Sequence, residues 1–183
     1  MNIEQYAEKS IYNVNAIEKF NAEQLLIVNG VSDRRSSDYY NLIVYGCEPW
    51  FKKQNHITFT RDRVLDYYIE PELRARYASL SQDAIHELKT FFCIFAYENT
   101  RGRWTNPDQE AAVGHLTEIK KRSNGIEIYF YPLFSVNQQR LNDLSFELGI
   151  IGSKGINELS HTHWTVKEIN LIEVLQDNGM LRF

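Results

Sequence analysis

Cysteine is scarce in this sequence, whose 183 residues include only Cys47 and Cys93. The two form no CxxC motif and have no spacing typical of a metal site, so the simplest account is a reduced, cytosolic environment. Cys93 lies in the apolar run 91–95, and we expect it to be buried as a small hydrophobic residue. A chain of this length buries roughly 70% of the surface of its unfolded state, so it needs neither a disulfide nor a metal ion to fold.

Long apolar runs and an excess of basic residues are also absent. No stretch approaches the ~18 uninterrupted apolar residues of a membrane span, and the N-terminal segment MNIEQYAEKS lacks the apolar core of a signal peptide. These features predict a soluble, cytoplasmic protein without a membrane partner. The net charge of −4 argues against nucleic acid as the partner, since nucleic-acid binders usually present a basic face.

The sequence carries none of the standard catalytic signatures: it has no P-loop, dinucleotide-binding glycine motif, HExxH or GxSxG. What it does carry is 13% aromatic residues and several segments of clear period, which indicate a folded globular protein. We predict a single domain over 1–183, with a candidate subdivision near 98–110. An N-terminal α/β part would precede this loop, and a hairpin followed by two helices would come after it.

The predicted fold class is α+β, with an antiparallel, small-barrel-like sheet and helices packed on one side. We expect strands over 39–45, 56–59 and 91–97, and we expect a strand over 25–28 to pair with 39–45. Helical spacing is found over 11–20, over 64–69 and after Glu72, and Ser81 is a typical N-cap. The polar segment 98–110 lacks any period and is predicted to be a mobile loop.

The segment 113–131 has the pattern of a β-hairpin whose turn is Ser123-Asn124-Gly125. An Asn-Gly pair tolerates the positive φ angles of a type I′ turn, so we predict that turn type and a structural role for Gly125.

Two capping-box patterns predict the last two helices. Ser135 with Gln138 would begin a helix of about 13 residues that Gly149 ends. Thr165 with Glu168 would begin the final helix, and the residue before the cap, Trp164, would pack on it as a buried staple.

Residues 91–175, with the segment ELSHTHW at 158–164 as their most specific element, resemble a C-terminal module of uncharacterised bacterial proteins. Some of those proteins are fused to signalling or effector domains of the kind seen in phage-defence systems. His161 stands where the module often has arginine, so the resemblance does not imply a required histidine pair. It implies a bacterial, defence-associated context and supplies no catalytic residue.

The pair His161 and His163 is the sharpest local motif. Residues two apart on a strand share a face, so an HxH pair can chelate zinc, copper or iron, with Glu158 as a near ligand and His115 or Glu118 as distant ones. The alternative is that His163 bonds backbone carbonyls and is purely structural. We favour this alternative and predict no metal and no cofactor.

The start of the 98–110 loop is the favoured ligand site, because it follows the most buried strand and joins two arginines to a tryptophan. Arginines can hold a phosphate or carboxylate, and an aromatic ring offers a stacking surface. The other interpretation is an exposed loop whose tryptophan covers a sheet edge. The residues concerned are Glu98, Asn99, Arg101, Arg103 and Trp104.

These observations leave three hypotheses, of which we favour a non-catalytic module that binds a protein or a small molecule. The second is a metal-dependent nuclease or phosphodiesterase using His161 and His163, or scattered acids with Lys120 and Glu127. The third is a nucleic-acid-binding small barrel, which would use Lys120-Lys121-Arg122 and the tyrosines Tyr129 and Tyr131.

Overall fold

The computed structural model describes residues 35–153 and 155–181. The helix and strand predicted over 11–20 and 25–28, with the pairing of 25–28, lie outside these ranges. Ser36–Leu171 form one compact unit, which runs through the 98–110 loop without a division, and the described residues from Ile172 onward belong to another. In these ranges no helix has the length and apolar character needed to cross a bilayer.

The α+β class is confirmed: the first unit is built on a curled sheet of six strands that forms a half-barrel. The order of strands across this sheet is β2-β5-β4-β3-β1-β8, and β6 and β7 form a separate two-stranded sheet. The strands are β1 Ser36–Val44, β2 His56–Phe59, β3 Phe91–Ala96, β4 Glu110–Arg122, β5 Gly125–Asn137, β6 Gly152–Ser153, β7 Ile156–Asn157 and β8 His163–Lys167.

The main sheet is mixed, so the prediction of a purely antiparallel sheet was wrong. β1 pairs with β3 in parallel, with Leu42 opposite Ile94, whereas its other neighbour, β8, is antiparallel. Parallel neighbours need a long crossover, here the segment that carries β2 and two helices. Local hairpin signals in a sequence cannot reveal such a pairing.

The helices in the described ranges are α1 Pro71–Tyr77, α2 Gln82–Leu88, α3 Gln138–Asp143 and α4 Leu171–Asp177. Ser81 caps α2 as predicted, because its hydroxyl accepts a hydrogen bond from the Ala84 N–H at 3.2 Å. The helix predicted over 64–69 does not form. Leu65 and Tyr68 have φ angles of 54° and 57° there, which turn the chain instead of continuing a helix.

The hairpin of β4 and β5 is confirmed and is longer than predicted. Its turn is not of type I′: Ser123 and Asn124 are the turn residues, and neither has a positive φ. Gly125 is the first residue of β5 and pairs with Arg122. Its φ of +158° is close to extended, so a requirement for glycine there has to come from packing.

Both predicted capping boxes were wrong. Ser135 lies within β5, and the cap of α3 is Asn137, whose side chain accepts from the Arg140 N–H. This helix has only six residues, although Gly149 does adopt the left-handed conformation, with a φ of +61°. Thr165 lies in the middle of β8, because a run of strand-forming residues finds a partner in β1.

Side chains cover both faces of the central strands. One face joins the main hydrophobic cluster, to which α1 and α2 contribute Leu73, Tyr77 and Leu88. The other face is covered as well. Tyr40 of β1, which is not part of that cluster, is fully buried, and its hydroxyl donates to the Leu148 carbonyl at 2.6 Å. Such two-sided cover explains why β3 is buried at every position, Cys93 included, as the sequence predicted.

Candidate functional site

The carboxyl ends of the parallel strands β1 and β3 meet at one edge of the sheet, where three polar connections converge. Gly46 follows β1, Glu98 follows β3, and Thr162 precedes β8. The hydroxyl of Thr162 accepts from the Gly46 N–H at 2.8 Å. The Glu98 Oε1 in turn accepts from both the N–H and the hydroxyl of Thr162, at 2.8 and 2.7 Å. These bonds hold the ends of the three strands together.

An open cleft of ≈ 420 Å³ lies beside these strand ends. Its charged lining residues are Arg63 and Glu98, and His161, Tyr45, Thr58 and Ser160 also line it. Crevices beyond the carboxyl ends of parallel strands are a common location for ligands in mixed α/β sheets. This cleft is therefore the candidate small-molecule site of the described chain.

Cys47 lies next to the cleft and is the exposed cysteine. Its Sγ lies 3.7 Å from Oε2 of Glu98, and the negative charge of that carboxylate, with a smaller effect of burial, raises the pKa of the thiol. A raised pKa keeps the sulfur protonated and weakly nucleophilic. The arrangement does not favour cysteine-based catalysis.

Three titratable side chains form a buried cluster close in sequence to the cleft residues Ser160, His161 and Thr162: Glu158, His163 and Lys167. Lys167 Nζ lies 2.7 Å from Glu158 Oε1, and His163 Nε2 lies 3.2 Å from Glu158 Oε2. Burial lowers the pKa of Lys167, and the Glu158 carboxylate partly offsets this effect by favouring the charged ammonium. The ammonium also donates to the carbonyl of Tyr68 at 2.9 Å.

Both ring nitrogens of His163 lie at hydrogen-bond distance from protein oxygens. Its Nδ1 lies 2.7 Å from the carbonyl oxygen of His161, which can only accept a hydrogen bond, while Nε2 faces Glu158. His161 lies in the cleft, beside the ring of Tyr68 at 6.3 Å. Within 35–153 and 155–181, no group of three His, Cys, Asp or Glu side chains is placed to hold a metal.

The five residues predicted to bind ligand at the start of the 98–110 loop do not form one site. Glu98 lines the cleft, whereas Asn99 turns inward to a network of amides. Asn99 Nδ2 donates to the side-chain oxygens of Asn142 and Asn157 at 3.0 and 3.1 Å, and its Oδ1 accepts from Gln138. This end of the loop is therefore tied to α3 and β7.

The remaining three residues of that prediction lie outside the cleft. Arg103 donates to the Ser145 hydroxyl at 2.8 Å, Arg101 is exposed, and Trp104 exposes 68% of its surface. Trp104 is therefore largely exposed to solvent.

The residues predicted to be structural are placed as follows. Trp164 is completely buried, as expected, but on β8, where its Nε1 donates to the Asn41 side chain at 2.9 Å. Thr165 donates to the Tyr68 carbonyl, and Glu168 is exposed just after β8. Gly125 is buried against β2, at the start of β5.

The basic hairpin tip predicted for nucleic acid is occupied by internal pairs. Lys120 pairs with Glu118 at 2.8 Å, and Arg122 pairs with Glu127 at 2.8 Å. The ring of Tyr129 is covered by Lys120, whose Nζ lies 4.4 Å from its centroid. These contacts involve Lys120, Arg122 and the ring of Tyr129, whereas Tyr131 exposes 50% of its surface.

Sequence reasoning missed Tyr45, Thr58 and Arg63 as cleft residues, and it treated Glu158 only as a metal ligand. The signal that could have found Tyr45 is its position directly after a strand, which is the same signal that drew attention to Glu98. Comparison of the chain with protein-family models, with curated proteins and with solved structures finds no match.

Proposed function

We propose that this protein is a non-catalytic interaction module of the bacterial cytoplasm that binds a protein partner through an exposed apolar surface. The apolar surface consists of Trp104, Phe146, Ile151 and Ile156, whose exposed fractions are 68%, 92%, 45% and 40%. The observation that carries the proposal is the 92% exposure of Phe146, which directly follows Ser145, the residue that Arg103 of the Trp104 loop contacts. Clustered exposed apolar side chains typically mark protein interfaces.

Internal contacts bring the segments of the apolar surface together. Arg103 bonds to Ser145, the residue before Phe146. The backbone of Gly102 packs so closely on Gly155 that an added Cβ would lie 2.1 Å from the Gly155 carbonyl oxygen. The loop that carries Trp104 is thus held against the turn after α3 and against the β6–β7 hairpin. A preordered surface binds with a smaller entropic cost.

The residue types of this surface also favour a protein partner. Tryptophan and arginine are enriched among the residues that dominate binding energies, and the exposed Arg101 lies within the same loop as Trp104. At the cleft, the raised pKa of the Cys47 thiol does not favour cysteine-based catalysis.

The whole apolar surface lies within 91–175, the part of the chain that resembles a module of defence-associated bacterial proteins. We therefore expect the partner to be an effector or signalling protein encoded nearby. The identity of the captured partner tests this part of the proposal separately.

The experiment is affinity capture from the source cells with three tagged forms of the full chain: wild type, the double variant Trp104→Ser/Phe146→Ser, and Tyr131→Ser. Tyr131 is a matched control because it is an aromatic residue that exposes 50% of its surface elsewhere. We expect a stoichiometric partner with wild type and with Tyr131→Ser, and loss of it with the double variant at an unchanged melting temperature. Equal capture by all three forms would contradict the proposal.

A further inference from the structure

We infer that the cleft at the carboxyl ends of β1 and β3 binds a small organic anion, and that Arg63 is the principal contact for its carboxylate or phosphate group. This inference does not depend on the apolar surface described above. It depends on which cleft groups are already satisfied within the protein and which are still available to a ligand.

The acid of the cleft is already hydrogen-bonded. Glu98 Oε1 accepts two bonds from Thr162, and Oε2 faces the Cys47 thiol. The carboxylate therefore holds the strand ends together through hydrogen bonds, and its two oxygens face Thr162 and Cys47. It is not the group that a bound molecule would meet first.

The available group of the cleft that can only donate is the Arg63 guanidinium. Arg63 exposes 47% of its side chain, and its carboxylate neighbour is the adjacent Asp62, with Nε and Oδ2 separated by 3.6 Å. A pair so long and exposed holds the guanidinium weakly. Among the described residues, the ring nitrogens of His161 and the hydroxyls of Tyr45 and Thr58 have no hydrogen-bond partner. A guanidinium with several uncommitted donors favours an oxyanion.

The size and walls of the cleft indicate a small molecule with an apolar part. Its volume of ≈ 420 Å³ falls within the ~300–1,000 Å³ typical of small-molecule sites. The rings of Tyr45 and Phe59 meet edge to face at a centroid distance of 5.3 Å and form an apolar wall. An aromatic carboxylate or a phosphate monoester combines the two features that such a cleft would recognise.

The test is a calorimetric titration of the full chain with phenyl phosphate, with benzoate, and with benzamide as the uncharged analogue. We expect heat of binding with at least one of the two anions and none with benzamide at the same concentrations. Tighter binding of phenyl phosphate would assign a phosphate ligand, and tighter binding of benzoate a carboxylate; both results support the inference. Binding of benzamide as tight as that of the anions, or no binding of either anion at millimolar concentration, would overturn it.

Two matched arginine variants assign the contact. Arg63→Gln should weaken binding of the anion by about tenfold or more, because a charge-assisted hydrogen bond is lost. Arg101→Gln, which removes an exposed arginine outside the cleft, should leave the affinity unchanged. Equal affinity in wild type and Arg63→Gln would overturn the assignment, and His161→Ala provides a second cleft variant with a similar expected loss. The double variant of the apolar surface, Trp104→Ser/Phe146→Ser, should bind the anion normally, so this result and the partner capture can fail independently.

Discussion

Lys167 Nζ lies 2.7 Å from Glu158 Oε1, and these side chains expose only 6% and 0% of their surface. The same carboxylate faces His163, and its Oε1 also accepts from the Ile151 N–H. A single buried carboxyl group thus connects both ends of β8 with the residue after β7 and the chain after α3.

Glu158→Gln should therefore be strongly destabilising. The substitution leaves the buried Lys167 without its counter-charge, and breaking a buried pair typically costs ~3–5 kcal/mol of unfolding free energy. Denaturant unfolding measures this loss. The matched control is Glu48→Gln, which removes the exposed pair of Glu48 with Lys53 and should change stability little. Similar losses in the two variants would contradict the role assigned to the cluster.

The tryptophans offer a second matched comparison. Trp164→Ala should lower the unfolding free energy by ~3–5 kcal/mol, because it removes a completely buried ring and leaves the Asn41 amide oxygen without its donor. Trp104→Ala should change it by less than ~0.5 kcal/mol in the isolated protein, because that ring is mostly exposed. A large loss with Trp104→Ala would mean that the apolar surface is part of the folding core.

Gly125→Val should cost at least ~1 kcal/mol through overpacking, because a Cβ at this position would lie 2.1 Å from the carbonyl oxygen of Phe59 on β2. Thermal and denaturant unfolding measure the change. Asn124→Ala separates this cause from turn geometry: Asn124 has no positive φ, so its replacement should be nearly neutral. A greater loss of unfolding free energy with Asn124→Ala than with Gly125→Val would contradict this cause and support a type I′ turn.

Alkaline pH should destabilise the protein through its tyrosines. Burial raises the pKa of Tyr40, Tyr68, Tyr77 and Tyr97 above 10.0, and the charge of Glu158 adds to the effect at Tyr40. The unfolded state therefore releases these protons first, so the contribution of the four tyrosines to stability is fully present below pH 10.0 and is lost as the pH rises through their folded-state pKa values. Lys167, whose pKa is lowered, acts in the opposite direction.

The measurement is the unfolding free energy as a function of pH for wild type and for Tyr40→Phe. The variant should lose stability at neutral pH, because its bond to the Leu148 carbonyl is gone, and should show a shallower fall above pH 10.0. An identical fall in both proteins would show that Tyr40 ionises as readily in the folded state as in the unfolded one.

Strong local patterns allowed correct prediction of several elements. β3 is apolar at every position, and the β4–β5 hairpin alternates around a short polar turn, so neighbouring residues suffice to recognise them. The segment at β8 was wrongly predicted to begin a helix. Its threonine, followed three residues later by glutamate, fits a capping box as well as it fits a strand. Its true state depends on pairing with β1, whose residues lie far away in the sequence, with Leu42 opposite Thr165.

The same limit applies to the cleft. Glu98 could be singled out because it follows a visibly buried strand. Tyr45 could not be joined to it, because their proximity depends on the parallel pairing of β1 with β3. Arg63 could not be joined either, because the next residue, Val64, pairs with Trp164, which lies 100 residues later. Arg101 and Trp104, which adjoin Glu98 in sequence, lie elsewhere because the chain turns inward at Asn99.

The place of β1 between β3 and β8 has a consequence for synthesis on the ribosome. β1 emerges early, yet its parallel neighbour is translated only after the whole crossover, and its antiparallel neighbour only after the β4–β5 hairpin, α3 and the β6–β7 hairpin. Until β8 has left the exit tunnel, one edge of a strand whose last five residues are buried in the folded protein stays open in the nascent chain. Chains stopped before His163 should therefore associate through this edge, and chaperones that recognise extended apolar segments should bind them.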